Sequence, residues 1–376
     1  MLSLERAVPR PHCARLQTLG LALLGAVLIA FQVLPFRLQA QKTSASGANF
    51  VGNQKSESEF TTPVRDTVHV QSSLVVAPVT VVDRSGRFVE NLARIDFRVL
   101  DNGVPQRIAQ FGLALEPVTA VIVVQTSRTV GPLLRQVRPL GSVFWGLLLG
   151  DYGDSAVVGF ADHVRVLQDF SSGPGTLEDT LRELVARGSK SRLNDALARA
   201  VQLLNKEPAT ERRVIVVFSD GFDRGSKTSE ADVLRSAASS NTAIYGLRFD
   251  PTQASVKRSE QAWNSGMGVP SVNFMPLVAL ALGVGRAVLS KNVLQQYAAF
   301  TGGVAYTHWK KQSLQDQLQQ IALDINSQYV LAYVPSTLKQ NGFHRIQVEV
   351  APRGLRVRTR VGYFNGLKKN GVTREE

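Results

Sequence analysis

Cysteine is almost absent, Cys13 being the single one in 376 residues. It precedes the first apolar run instead of following it, so it is not placed like a lipidated cysteine. With none beyond residue 40, a disulfide framework, a thiolate metal site and a cysteine nucleophile are all excluded for the rest of the chain. Histidine is scarce too. His69, His163, His308 and His344 are scattered, and none stands at a metal-ligand spacing such as His-Glu-x-x-His. A Gly-x-Ser-x-Gly elbow, a phosphate loop and a dinucleotide fingerprint after a strand are likewise missing. With no recognisable catalytic set, the expectation is a protein that is not an enzyme. Long apolar runs are also lacking: Leu19–Leu34 and 275–285 both fall short of the roughly 20 residues that a spanning helix needs.

The first of these runs lies in a recognisable setting. Arg6, Arg10 and Arg15 precede it, and Arg37-Leu-Gln-Ala40 follows, which is the layout of a secretory signal peptide over 1–40. Cleavage after Ala40 is expected, with an uncleaved N-terminal anchor as the alternative. Either way residues 41 onward are expected to be exported, to the periplasm, the cell surface or the medium. The net charge of +13 falls to +10 when four arginines and one glutamate leave with the leader. For an exported chain that balance points to anionic surface polymers, lipid head groups or acidic partners ahead of nucleic acid, or simply to a solvated basic surface.

Residues 41–62, rich in Ser, Gly and Asn, cannot bury a core and read as a linker. Over 63–115 short β-branched runs are separated by the turn signals Asp83-Arg-Ser-Gly86 and Asp101-Asn-Gly103, predicting a small antiparallel β-domain. From 116 to 328 the pattern becomes apolar runs (118–124, 155–161, 212–219, 242–249) alternating with amphipathic stretches. That alternation predicts an α/β unit with a mostly parallel central sheet flanked by helices, and His163–Phe170 as an antiparallel edge strand. An insertion over about 251–290 interrupts it. Strand signals over 329–366, including Leu355–Phe364, are expected to pair as a C-terminal appendage, with or without the N-terminal β-domain, and 367–376 is a basic tail.

In an open parallel sheet, ligands bind beyond the carboxyl ends of the strands. The polar residues there are Gln125-Thr-Ser127-Arg-Thr129, Gly188-Ser-Lys-Ser191, and Ser219-Asp220-Gly221. On these residues the chain resembles the von Willebrand factor type A domain, whose metal-ion-dependent adhesion site combines Asp-x-Ser-x-Ser with a distant Thr and a distant Asp. The resemblance implies a Rossmann-like α/β fold. It also implies that Ser127, Thr129, Ser191 and Asp220 are the candidate ligands of Mg²⁺ or Mn²⁺. Gln125 stands where the motif has its leading Asp, leaving one matched carboxylate, so a helix-capping and loop-tying role for the same residues is the other reading. A narrower resemblance, carried by 81–86 with 96–106 and by 327–335 with 358–364, is to the secreted von Willebrand factor A-related proteins of acidobacteria-type genomes.

The resemblance implies a binding or adhesion protein that meets an acidic side chain of a protein partner at the strand tops, through a metal or, if Gln125 abolishes it, without one. The competing expectation is a structural envelope protein. In that case Arg356, Arg358 and Arg360, alternating along one strand face, would contact anionic polymer; a solvated face with Val357 and Val361 turned inward is the plainer reading of that stripe.

Overall fold

The computed structural model describes residues 74–208, 210–249, 278, 293–308, 314–336 and 341–365. The leader, the linker, the basic tail and nearly all of the insertion over 251–290 lie outside the described residues, as does His69.

The central run becomes β5 (Val118–Gln125), every residue of which is buried. It pairs in parallel with β6 (Asp154–Phe160) on one side and β8 (Arg212–Ser219) on the other. β9 (Ala243–Phe249) and β10 (Ala305–His308) extend the sheet beyond β8, and β7 (Val164–Ser171) closes the other edge antiparallel to β6. A strand buried on both faces requires a continuous apolar sequence, and alternation then divides its side chains. Ala120, Ile122 and Val124 pack against α1 (Gly131–Val137), α2 (Gly141–Phe144), α3 (Pro174–Arg182) and α7 (Leu314–Asn326). Val121 and Val123 pack against α4 (Leu193–Leu204), α5 (Glu230–Ser239) and α6 (Val293–Thr301). Each fully buried Val or Ile contributes about 1.5–3 kcal/mol. The chain runs outward from β5 in one direction and returns to run outward in the other, so β5 marks the switch point where a crevice opens at its carboxyl end.

The remaining strands form two antiparallel sheets, β13-β1-β11-β4 and β14-β12-β2-β3. Their ranges are β1 (Val75–Val82), β2 (Phe97–Asp101), β3 (Val104–Gln106), β4 (Ile108–Leu113), β11 (Tyr329–Tyr333), β12 (Gly342–Val350), β13 (Arg356–Thr359) and β14 (Gly362–Asn365). The two faces share one core of Val79, Val81, Phe97, Tyr329, Leu331 and Ile346, with the Phe97 and Tyr329 rings 4.9 Å apart. Of the two arrangements open for 63–115 and 329–366, the joint one is found: their strands interleave in one sandwich, and the α/β unit is inserted between β4 and β11.

The arginine stripe is corrected by the structure. The stretch read as a single strand is two, β13 and β14, which belong to different sheets. Arg358 points inward: its side chain is 12% exposed, and it forms an ion pair with the fully buried Asp324 of α7. Arg360, 7% exposed, donates to the Ala238 carbonyl of α5 at 3.3 Å. Burial opposes the charge on each. At Arg358 the Asp324 carboxylate outweighs that penalty and holds the guanidinium pKa above its ordinary value, whereas at Arg360 burial depresses it to about 10 against the opposing Tyr333 and Tyr363 hydroxyls. A solvent-facing basic strand is thus replaced by two arginines that fasten the sandwich to the α/β unit.

Around Asp324, Thr80 of β1 donates at 3.1 Å and Tyr245 of β9 at 2.9 Å, so strands from both sheet systems meet one carboxylate. Arg358→Ala strands that carboxylate and is expected to cost about 3–5 kcal/mol, whereas Asp324→Leu combined with Arg358→Met removes both charges and should recover most of the loss. Urea unfolding of the three proteins checks this; equal losses in the single and double variants would contradict it.

Candidate functional site

Gln125 ends β5 at the switch point, fully buried. Its Oε1 accepts from the Asp220 backbone N–H and from the Ser219 hydroxyl, both at 2.8 Å. A backbone N–H can only donate, so the amide orientation is determined: Nε2 must face the other way, where it donates to Ser127 Oγ at 2.8 Å. Ser127 and Thr129 are hydroxyl to hydroxyl at 2.8 Å. One amide thereby ties the end of β5 to the loop after β8.

Asp220 is held on both oxygens. Oδ1 accepts from the Phe222 N–H at 3.1 Å, and Oδ2 takes Arg224 Nη1 at 2.9 Å. The guanidiniums of Arg224 and Arg248 both lie over the Phe222 ring, at 4.9 and 5.6 Å from its centroid. Ser191 donates to the Phe222 carbonyl at 2.7 Å, and its backbone pairs with that of Arg224. The five residues singled out in sequence are therefore gathered unevenly. Gln125, Ser127, Thr129 and Asp220 form one chain of contacts, while Ser191 joins through the backbone of the Asp220 loop.

The other carboxylates at this end also turn inward onto backbone amides. Asp162 takes the N–H groups of Ser189 and Lys190, Asp195 those of Lys227 and Thr228, and Asp223 that of Asn194. Gly188 (φ +80°) allows its loop to turn back over Asp162, where a Cβ would sit 2.7 Å from the carboxylate. The charges left outward at the strand tops are Arg128, Lys190, Arg224 and Lys227, all exposed. Sequence reasoning missed Arg224; the available signal was a cation four residues after the single matched carboxylate.

These residues do not fit a hard divalent cation. Mg²⁺ and Mn²⁺ seek oxygen ligands with carboxylate charge. Here residue 125 donates an N–H to the Ser127 hydroxyl, and the one matched carboxylate is already paired with a guanidinium. Among the described residues no group of three or more His, Cys, Asp or Glu side chains gathers. Of the other reading, Ser127 does not cap a helix, preceding a short 3₁₀ turn without a side-chain cap bond, while Asp220 and Ser191 do tie the loop, through the Phe222 N–H and carbonyl.

The sequence profile of the von Willebrand factor type A domain matches residues 121–222, from within β5 to just past Asp220. The α/β unit is a von Willebrand factor type A domain. Among solved structures, a von Willebrand factor type A protein from Catenulispora acidiphila is 11% identical with a TM-score of 0.42, covering 78% of this chain and 75% of its own. The conserved hypothetical protein BatB from Bacteroides thetaiotaomicron is 12% identical (TM-score 0.39), and an aerotolerance-related membrane protein from Bacteroides fragilis NCTC 9343 is 16% identical (TM-score 0.37); each covers 55% of this chain and 98% of its own. No curated protein matches the chain. The profile ends before Arg224, so the residue that pairs with Asp220 lies outside the matched part of the domain.

The inward carboxylates make the loops of the type A domain sensitive to acid. Hydrogen bonds from the Lys190 and Ser189 amides hold Asp162 below the usual carboxylate range; at Asp195 burial pushes upward but the Thr228 and Lys227 bonds prevail, with the same net direction. A depressed folded pKa contributes stability that is complete above the unfolded value, about 4, and is lost as pH falls through the folded value. Amide hydrogen exchange at Ser189, Lys190, Lys227 and Thr228 should therefore accelerate below about pH 4 relative to the amides of β5. Unchanged relative protection down to pH 2 would contradict the assignment.

Proposed function

We propose that this chain is an exported, non-catalytic protein-interaction module whose type A domain binds through its strand-top loops without a metal ion. The observation that carries the reading is the Gln125 amide together with the Asp220–Arg224 pair. They satisfy internally the hydroxyls and the carboxylate that a cation would otherwise draw together. Export rests on the layout of residues 1–40, and the protein-interaction role on the domain family. The rival reading, an envelope protein gripping anionic polymer through a basic strand, loses its main support because Arg358 is turned inward onto Asp324 and Arg360 is buried.

The metal arm is tested by thermal unfolding of the full chain with EDTA and with millimolar Mg²⁺ or Mn²⁺. An ion at 100 times its Kd stabilises the folded state by about 2.7 kcal/mol, a shift of a few degrees. No shift is expected for the wild type, and a metal-dependent rise is expected for Gln125→Asp combined with Arg224→Ala. A wild-type melting temperature that EDTA lowers would sink the metal-free reading. The interaction arm uses capture of envelope proteins in EDTA by the wild type and by Arg128→Glu/Lys190→Glu/Lys227→Glu. A partner held by the wild type and lost by the triple variant is expected; retention by the triple variant would place the interface elsewhere.

A further inference from the structure

Beside the Gln125–Asp220 cluster, a separate cavity of about 350 Å³ opens between the β6–β7 hairpin and the segment that follows α3. Its apolar wall is Leu167, Leu184 and Val185, its polar floor is Thr126, and Arg165 and Arg187 line it as well. Leu167 is placed there by a bulge. Val157 pairs with Gln168 and Val158 with Val166, leaving Leu167 as the extra residue of β7. It crosses over Gly159, where a Cβ would lie only 2.8 Å from Leu167 Cδ1.

The same bulge decides what kind of occupant fits. β7 is the edge of the six-stranded sheet, but its pairing with β6 is interrupted twice, and Arg165 and Asp169 point outward from it. Bulged, charged edges resist the addition of a further strand, so an incoming chain would enter by its side chains. The charges favour acidic ones. Among the described residues neither Arg165 nor Arg187 has an ion pair or a side-chain hydrogen bond, whereas Asp162 on the same wall is committed to the Ser189 and Lys190 amides. Glu183 is the remaining acid of the lining, and exposed Lys190 and Arg128 stand nearby in the same loops. Leu167 and Val185 are 42% and 50% exposed, so two aliphatic side chains stand open in the same lining as Arg165 and Arg187.

We propose that this lateral cavity is a docking site for an acidic segment of a partner protein, an aliphatic side chain entering between Leu167 and Val185 while a neighbouring carboxylate pairs with Arg165 and Arg187. The proposal rests on the protein-interaction reading above and locates part of the contact outside the family's metal position. The Arg187 N–H donates to the Thr126 carbonyl at 2.6 Å and the Arg128 N–H to the Gly188 carbonyl at 3.1 Å, so an occupied cavity would also brace the loop that carries Ser127.

The test measures binding of a fluorescent Asp-Leu-Glu-Leu peptide and its Asn-Leu-Gln-Leu counterpart to the full chain, with heparin as a polyanion of different class. The acidic peptide is expected to bind at least tenfold more tightly than its amide counterpart. Val185→Trp, which fills the cavity, and Arg165→Glu/Arg187→Glu should each weaken it at least tenfold at unchanged melting temperature, and Arg98→Glu on the sandwich should leave it as it was. Equal binding of both peptides, binding that survives Val185→Trp, or heparin binding without peptide binding would each overturn the proposal. A natural partner lost by the strand-top triple variant but kept by both cavity variants would overturn the cavity alone and leave the interaction reading standing.

Discussion

The ion pair between Arg358 and Asp324 is the contact on which the arrangement of the chain depends. A charge in a protein interior is costly unless it is paired and hydrogen-bonded, and removing one partner of a buried pair leaves the other charge uncompensated. Thr80 from β1, Tyr245 from β9 and Arg358 from β13 converge on a carboxylate supplied by α7. The sandwich and the inserted type A domain are thereby bound at a shared polar centre. Gln328 extends the link with a 3.3 Å bond to the Tyr245 hydroxyl, just where the chain leaves α7 for β11.

A second buried carboxylate organises the sandwich from within. Asp101, at the end of β2, meets His344 Nδ1 at 2.9 Å and accepts from the Tyr333 and Tyr363 hydroxyls at 3.0 and 2.7 Å. Burial, reinforced by that carboxylate, pushes both hydroxyls well above their ordinary range and keeps them as donors. The four residues come from β2, β11, β12 and β14, so the network requires the early and late strands to be assembled together. Its logic matches that at Asp324: a carboxylate placed where several strands from distant parts of the sequence must supply donors.

The strand tops follow the same rule at a place where the fold family would put a metal. Once residue 125 is an amide, its donors and acceptors are absorbed by Ser127, Ser219 and Asp220, and Arg224 supplies the positive charge that Asp220 faces. The carboxylates around them turn inward onto loop amides, and the cations are left outside. The exposed charges at the strand tops are therefore those of Arg128, Lys190, Arg224 and Lys227, a surface more basic than the composition of these loops suggests.

Periodicity was sufficient to reveal the parallel sheet, its order of strand and helix, and the antiparallel edge at β7, because a strand covered on both faces must be apolar throughout. The strand-end positions of Gln125, Ser127 and Asp220 were legible for a related reason, since polar residues directly after apolar runs mark strand ends, whereas Ser191, which stands before α4, was picked out only by the family resemblance. The orientation of the Gln125 amide was not, since it depends on a backbone N–H ninety-five residues away. Nor was the fate of Arg358 and Arg360. Alternation along a strand says that two side chains share a face, while only the packing of α7 and α5 against that face decides whether it meets water or a buried carboxylate. The interleaving of the first and last strands into one sandwich was likewise left open by local pattern, because antiparallel pairing between distant segments is selected by the shared core they bury together.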